Sequence, residues 1–391
     1  MCPAYRAYPF GMRIKGSLTK GLLVALTLTL IPITAFSAQK ITPGSTCKVL
    51  NQKIVYQNKT YTCIKSGNKL VWNKGVKVVT KTNASPTTRP KLDLYAGVSN
   101  PIQNTSRSEE FMIQTSDGRT RTYRFFKPGS IDSKIPAPLV LAFHGGLASA
   151  RQFEANSGLS EFAESNGFYV VYPNGINASE TQPGFQTWNA GDCCGPAVRN
   201  GVDDVAFMAS LIKLIKDSYL IDPTRVFAMG HSNGGMLAYK LACELSDQVK
   251  GVGIQSASLG MDNCGSVNPV KLVHIHGTAD KNFPIEGGLG SGIAGVPFRS
   301  ARFALDVFAS INKCNKTPEA TRDIRNSEIT IYEWNKCSTN VGMRYITVEG
   351  ASHAWMGRTA VSSSAQSLVG TPYSNLDSTR AILSFLLGTA R

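Results

Sequence analysis

Short, continuously apolar runs alternate with stretches of helical period along the carboxy-terminal three quarters of the chain. Leu139-Val140-Leu141-Ala142-Phe143 and Tyr169-Val170-Val171-Tyr172 are two such runs, separated by a helix-prone segment near 152–164. Val226–Met229, Gly251–Gln255, Leu272-Val273-His274-Ile275 and Arg344–Val348 repeat the pattern farther on. Strands without polar alternation are covered on both faces, as in a parallel sheet clothed by helices. The segment 202–220 places Val205, Met208, Leu211, Ile212 and Ile215 on one helical face, and a closing helix is expected over about 377–387. Upstream, Phe111-Met112-Ile113 and Thr122–Phe126 flank Asp117-Gly118, a hairpin signal. The pattern predicts an α/β fold for residues 107–391: a mostly parallel sheet with helices on both faces.

Residues 39–80 read differently. Short β-branched and aromatic runs (Lys53–Tyr56, Lys59–Ile64, Lys69–Trp72) are broken by Gly and Asn, which predicts a small β-rich unit of three or four strands. Residues 81–106, rich in Thr, Pro, Asn and Ser, read as a linker. Residues 1–38 read as an export signal: Arg13, Lys15 and Lys20, then the apolar run from Gly21 to Ile33, then Ala35, Ser37 and Ala38. Met12 offers a second start position. A run of this length is short for a membrane span. Of nine cysteines, Cys2 falls in the signal and eight remain, an even number that suits disulfides in an exported protein. Cys47–Cys63 and Cys314–Cys337 are the pairings expected from proximity; those of Cys193, Cys194, Cys243 and Cys264 stay open.

The formal charge of +15 is unevenly placed. Residues 1–91 hold 15 Lys/Arg and no Asp or Glu, so the other 26 basic residues balance all 26 acidic ones. The excess therefore belongs to the amino-terminal region. A unit so charged could hold an anionic cell-surface polymer, and salt-dependent retention on such a polymer would test this.

The chemistry centres on Gly230-His231-Ser232-Asn233-Gly234, between the apolar run ending at Met229 and the helix-prone Met236–Leu241. A serine two residues from glycine on either side suits a sharp strand-to-helix turn that lifts Oγ clear of the sheet. Such a nucleophile needs an imidazole base and an acid to orient it, here in the chain order serine, acid, histidine. His144 and His231 precede Ser232, and His274 and His276 stand too early to follow an acid placed at the end of the next strand. His353 alone remains, just past the strand ending at Val348. Asp280 ends the strand begun at Leu272 and is the expected acid, with Glu286 its rival. The oxyanion hole would use the backbone N–H of Asn233 and one from His144-Gly145-Gly146-Leu147: Gly146 first, Leu147 second. Trp188 and Trp355 are expected to line a cleft and contact substrate, together with His231. Asp203-Asp204 reads as a helix opening. No cofactor and no metal are called for.

From about 109 to 388 the chain resembles secreted α/β-hydrolase esterases of the polyhydroxybutyrate depolymerase type, whose relatives include feruloyl and acetyl-xylan esterases. The resemblance is carried by His144-Gly145-Gly146, the segment Trp188–Gly195, Val202-Asp203-Asp204-Val205, Gly230–Met236, His276–Asp280 and Gly350–Trp355. It implies a Ser232/Asp280/His353 triad that hydrolyses an ester, polymeric or polysaccharide-linked, through an acyl-enzyme. Residues 39–80 lie outside it. Three other readings stand beside this one: a peptidase on this triad, a metal-dependent hydrolase using His274, His276 and Asp280, and a non-catalytic surface-binding protein acting through the basic unit.

Overall fold

The computed structural model describes residues 42–48, 50–51, 53–56, 59–77, 108–177, 185–265, 267–337, 341–358 and 363–388. The export signal and the linker expected at 81–106 lie outside the described residues. The chain separates into two compact units, residues 1–85 and 86–391.

In the first unit, β1 (Lys53–Tyr56), β2 (Lys59–Ser66), β3 (Lys69–Trp72) and β4 (Val76–Lys77) form a four-stranded antiparallel sheet. Among the described residues its core is three buried side chains, Tyr61, Cys63 and Trp72. So small a core needs a covalent staple. The Cys47–Cys63 disulfide supplies it, the pairing expected from sequence.

The second unit is built on a ten-stranded sheet. Its strands are β5 (Glu109–Gln114), β6 (Thr120–Phe126), β7 (Ala137–Phe143), β8 (Tyr169–Pro173), then, beyond the small hairpin of β9 (Ile176–Asn177) and β10 (Gln186–Thr187), β11 (Ile221–His231), β12 (Gly251–Gln255) and β13 (Lys271–Gly277). A second two-strand ribbon, β14 (Gly288–Leu289) and β15 (Pro297–Phe298), precedes β16 (Glu319–Arg322), β17 (Ile329–Trp334) and β18 (Met343–Val348). The spatial order is β16-β17-β18-β13-β12-β11-β7-β8-β6-β5. The six central strands, β18 to β8 in that order, are mutually parallel, and the pairs at each edge are antiparallel. All six runs read as buried strands from the sequence lie in this parallel core. The Asp117-Gly118 hairpin joins β5 to β6.

Helices cover both faces: α1 (Ala150–Ser157), α2 (Leu159–Asn166), α3 (Gly195–Arg199), α4 (Asp204–Ser218), α5 (Asn233–Glu244), α6 (Ala301–Ile311), α7 (Ser363–Val369) and α8 (Ser378–Leu387). Along β7, Leu139, Leu141 and Phe143 pack with α4, α5 and α6, while Val140 and Ala142 pack with α1, α2 and α8. That two-sided burial makes β7 apolar throughout. The architecture is the α/β-hydrolase fold expected from the sequence. The single helix expected near 152–164 is two, broken at Gly158, whose φ of 61° ends α1. Asp203 and Asp377 cap α4 and α8 through bonds to the N–H groups of Ala206 and Arg380. Cys314 pairs with Cys337, again as expected, while Cys243 pairs with Cys264 and Cys193 with its neighbour Cys194.

Candidate active site

Ser232 stands between the end of β11 and the start of α5 with φ 54° and ψ −124°, a conformation that side-chain-bearing residues rarely adopt. Its flanking glycines are sterically required. A Cβ on Gly230 would fall 2.3 Å from the carbonyl oxygen of Gly234, and one on Gly234 would fall 2.4 Å from that of His144. The turn can therefore press against the loop after β7 only with glycine at both positions. Asn233, the first residue of α5, has an N–H that its own helix cannot satisfy.

Asp280 and His353 arrive from β13 and β18, which are neighbours in the sheet. A Cβ on Gly277 would lie 2.2 Å from the carbonyl oxygen of Ala351, so the chain leaving β18 crosses closely over the end of β13. The N–H of Ala279 donates to that same oxygen at 3.1 Å. His353 Nδ1 then lies 2.8 Å from Asp280 Oδ2, with both side chains buried. The other carboxylate oxygen accepts from the N–H groups of Asn282 (3.0 Å) and Phe283 (2.9 Å). Burial alone would raise the Asp280 carboxyl, but the His353 ring and these bonds outweigh it and hold the group below the ordinary carboxylate range. Glu286 is exposed and is not the partner of His353 Nδ1.

Four candidate roles change once side chains are placed. The Leu147 N–H donates to Gln186 O at 2.8 Å, so it does not point at a substrate; of the two loop candidates Gly146 remains, exposed, its Cβ position 3.8 Å from Asn233 Cβ. Trp188 does not line a cleft: it is wholly buried, its indole N–H donating to His144 O at 2.9 Å. Trp355 is also buried, edge-on to Phe153 at 5.2 Å and to His231 at 5.9 Å. His231 is turned toward the His353 backbone, its Nε2–H donating to His353 O at 2.7 Å. A shallow cleft is lined by Cys193, Met236, Leu259, Phe283, Phe298 and Arg299, Met236 standing one turn into α5 from Ser232.

One positioning residue had no reading in the sequence. Gln255, fully buried at the end of β12, donates to Ala354 O (2.9 Å) and accepts from Met356 N–H (3.2 Å), gripping the loop that carries His353. Its only signal is a polar residue closing an otherwise apolar strand.

His274 and His276 form a directional chain. The Phe283 carbonyl can only accept, so His276 Nε2 carries a proton (2.9 Å), and its bare Nδ1 accepts from His274 Nε2–H (3.0 Å). His274 Nδ1 in turn accepts from the Tyr239 hydroxyl at 2.6 Å. Every ring nitrogen of the pair is thus used within the protein. Among the described residues, no group of three or more His, Cys, Asp or Glu side chains is arranged to hold a metal ion.

Buried histidines have a consequence for stability. Burial holds His144 down to about 4 and His231 down to about 3, and lowers His274 and His276 as well. An unfolded chain protonates these rings near pH 6.5 while the folded chain does not, so stability falls as pH drops from about 6.5 toward 4. The slope is about 1.4 kcal/mol per pH unit per histidine, opposed by Asp204 and Asp377, whose carboxyls burial raises. Urea midpoints measured at pH 7, 5.5 and 4.5 are expected to decline steadily; a flat profile would show that the rings are protonated in the folded state.

Residues 122–281 match the family described as Esterase PHB depolymerase. That segment holds Gly146, Trp188, Ser232 and Asp280, and His353 lies beyond it. Feruloyl esterase B of Piromyces equi is 28% identical over 58% of this chain and 41% of its own. The putative esterase NocK of Nocardia uniformis subsp. tsuyamanensis is 28% identical over 69% of this chain and 80% of its own. An acetyl xylan esterase structure from Aspergillus awamori aligns with a TM-score of 0.46 at 14% identity, over 63% of this chain and 94% of its own. The chain spans less than half the length of the first curated relatives it matches. The match over 122–281 makes the part of the chain that carries the serine turn similar to the Esterase PHB depolymerase family.

Proposed function

We propose that the protein is a secreted serine carboxylic-ester hydrolase working through Ser232, His353 and Asp280. The observation that carries this is the 2.8 Å bond from His353 Nδ1 to Asp280 Oδ2, together with a serine on a strained strand-to-helix turn whose neighbour His231 bonds to His353 O at 2.7 Å. That bond leaves Nε2 as the imidazole nitrogen that takes a proton. Ser232 Oγ attacks the ester carbonyl as its proton passes to Nε2, and the tetrahedral oxyanion is met by the N–H groups of Asn233 and Gly146. The imidazolium returns the proton to the leaving alcohol, giving an acyl-enzyme. Water, deprotonated by the same nitrogen, then releases the acid.

Polyester and feruloyl- or acetyl-polysaccharide esters are the substrate classes that the relatives' names suggest. Export is supported by the amino-terminal signal pattern and by four disulfides, which persist in oxidising compartments. Among the described residues no helix is long and apolar enough to cross a membrane. In the first unit Lys48, Lys59, Lys65, Lys69 and Lys74 are exposed in a stretch without acidic residues, a surface suited to an anionic polymer by an attachment that salt would weaken.

The test has two arms. A p-nitrophenyl phosphate triester is expected to inactivate the protein with one phosphoryl group on the peptide containing Ser232. The full chain, assayed on p-nitrophenyl butyrate, methyl ferulate, acetyl-xylan and polyhydroxybutyrate film, is expected to turn over the first and at least one polymer-related ester. Absence of labelling together with no ester turnover would overturn the proposal.

A further inference from the structure

The two backbone N–H groups of the oxyanion hole come from separate elements, the loop after β7 and the first turn of α5. Transition-state stabilisation depends on the spacing between them, because donors help only when aimed at the developing oxyanion. One residue is bonded to both elements. The Trp188 indole N–H donates to His144 O at 2.9 Å, on the loop side. On the helix side, its backbone N–H donates to Asn233 Oδ1 at 2.8 Å, and its carbonyl accepts from Asn233 Nδ2 at 3.2 Å.

Trp188 is itself held from behind. The next N–H, of Asn189, donates to Asp204 Oδ2 at 2.7 Å, and Asp204 Oδ1 is 2.7 Å from Arg121 Nη2 in a fully buried ion pair. The Arg121 guanidinium lies 6.0 Å from the Trp188 ring centre and 4.2 Å from that of Phe207. The ring also stacks at a tilt on His144, with centroids 4.8 Å apart. A bridge with this backing is stiffer than one made from an exposed loop.

We propose that Trp188 is a positioning residue that sets the separation of the Gly146 and Asn233 N–H groups, so that its indole N–H acts on the transition state rather than on substrate binding. This rests on the assignment of Ser232 as nucleophile and of those two donors. The hydrogen bonds also explain why a tryptophan is used. Phenylalanine could fill the same space, but it offers no donor for the His144 carbonyl.

The experiment compares Trp188→Phe and Asn233→Asp with the parent in the full chain, each normalised to active sites by phosphate-triester titration. Trp188→Phe keeps an aromatic ring and removes the indole donor. Asn233→Asp keeps the backbone N–H and the acceptor for Trp188 N–H, and removes the donor to Trp188 O. Both are expected to lower kcat on p-nitrophenyl butyrate by about 10- to 100-fold, less than loss of a whole donor, with KM within about threefold. Affinity for an alkyl trifluoromethyl ketone, which forms a tetrahedral adduct, is expected to fall in the same proportion. A merely structural role would reduce titratable sites and the melting temperature and leave kcat per site unchanged. The proposal is overturned if folded Trp188→Phe retains kcat within twofold, or if its loss is all in KM. Should Trp188→Phe not fold, Asn233→Asp decides by the same limits. If Ser232→Ala keeps turnover, the nucleophile assignment fails instead, whatever the Trp188 result.

Discussion

Ser232→Ala is expected to reduce kcat/KM for p-nitrophenyl butyrate by about 10⁵- to 10⁶-fold while leaving the fold intact. Losing the nucleophile of a triad removes the covalent route altogether, and only binding and the oxyanion hole still assist attack by water. The substitution is structurally mild. Alanine meets the same steric penalty at φ 54° that serine does. The bonds that hold the turn are backbone ones, Ser232 N–H to Gln255 O at 3.0 Å and Met236 N–H to Ser232 O at 2.9 Å, and both survive. The melting temperature is expected to stay within a few degrees. Activity within tenfold of the parent, in protein freed of wild-type contamination, would return the metal-dependent reading to contention, although the ring nitrogens of His274 and His276 are engaged in the chain to Tyr239 and Phe283.

The parts of this site legible in the sequence are those imposed by local sterics or chain order. Gly230 and Gly234 announce the turn because the backbone passes within 2.5 Å of where their Cβ atoms would be. Asp280 and His353 follow because each sits just beyond an apolar run, and parallel strands deliver their carboxyl ends to one edge of the sheet. The parts that were not legible depend on contacts between distant segments. Leu147 was a plausible donor until Gln186, 39 positions away, took its N–H. Trp188 and Trp355 carry the composition of a cleft wall, but their burial is decided by His144, Phe153 and His231. Gln255 reveals its role only through Ala354 and Met356, about a hundred positions later. Apolar period identifies the parallel strands and misses β16, at the sheet edge, and β17 beside it, where many side chains are at least partly exposed and the continuous run is lost.

Asp280→Asn is expected to lower kcat by about 10⁴-fold with KM little changed, and the reason lies in the second oxygen of the carboxylate. Asp280 Oδ1 accepts two backbone N–H bonds, from Asn282 and Phe283, while Oδ2 accepts from His353 Nδ1. An asparagine has only one accepting oxygen. Turning its NH₂ toward Asn282 and Phe283 would set donor against two donors in a buried position, so its oxygen goes there and its NH₂ faces His353. Nδ1 must then accept, the ring proton moves to Nε2, and the nitrogen that should take the Ser232 proton already carries one. A wrong tautomer at unchanged geometry has about this effect in a serine triad. The expected outcome is checked by kcat per titrated site, with ¹⁵N chemical shifts of His353 reporting which nitrogen holds the proton. Glu286→Gln serves as the control, because Glu286 is exposed and Nδ1 bonds to Asp280, and its kcat is expected within about threefold of the parent. Near-normal turnover in Asp280→Asn, with loss in Glu286→Gln, would move the acid to the β14 loop.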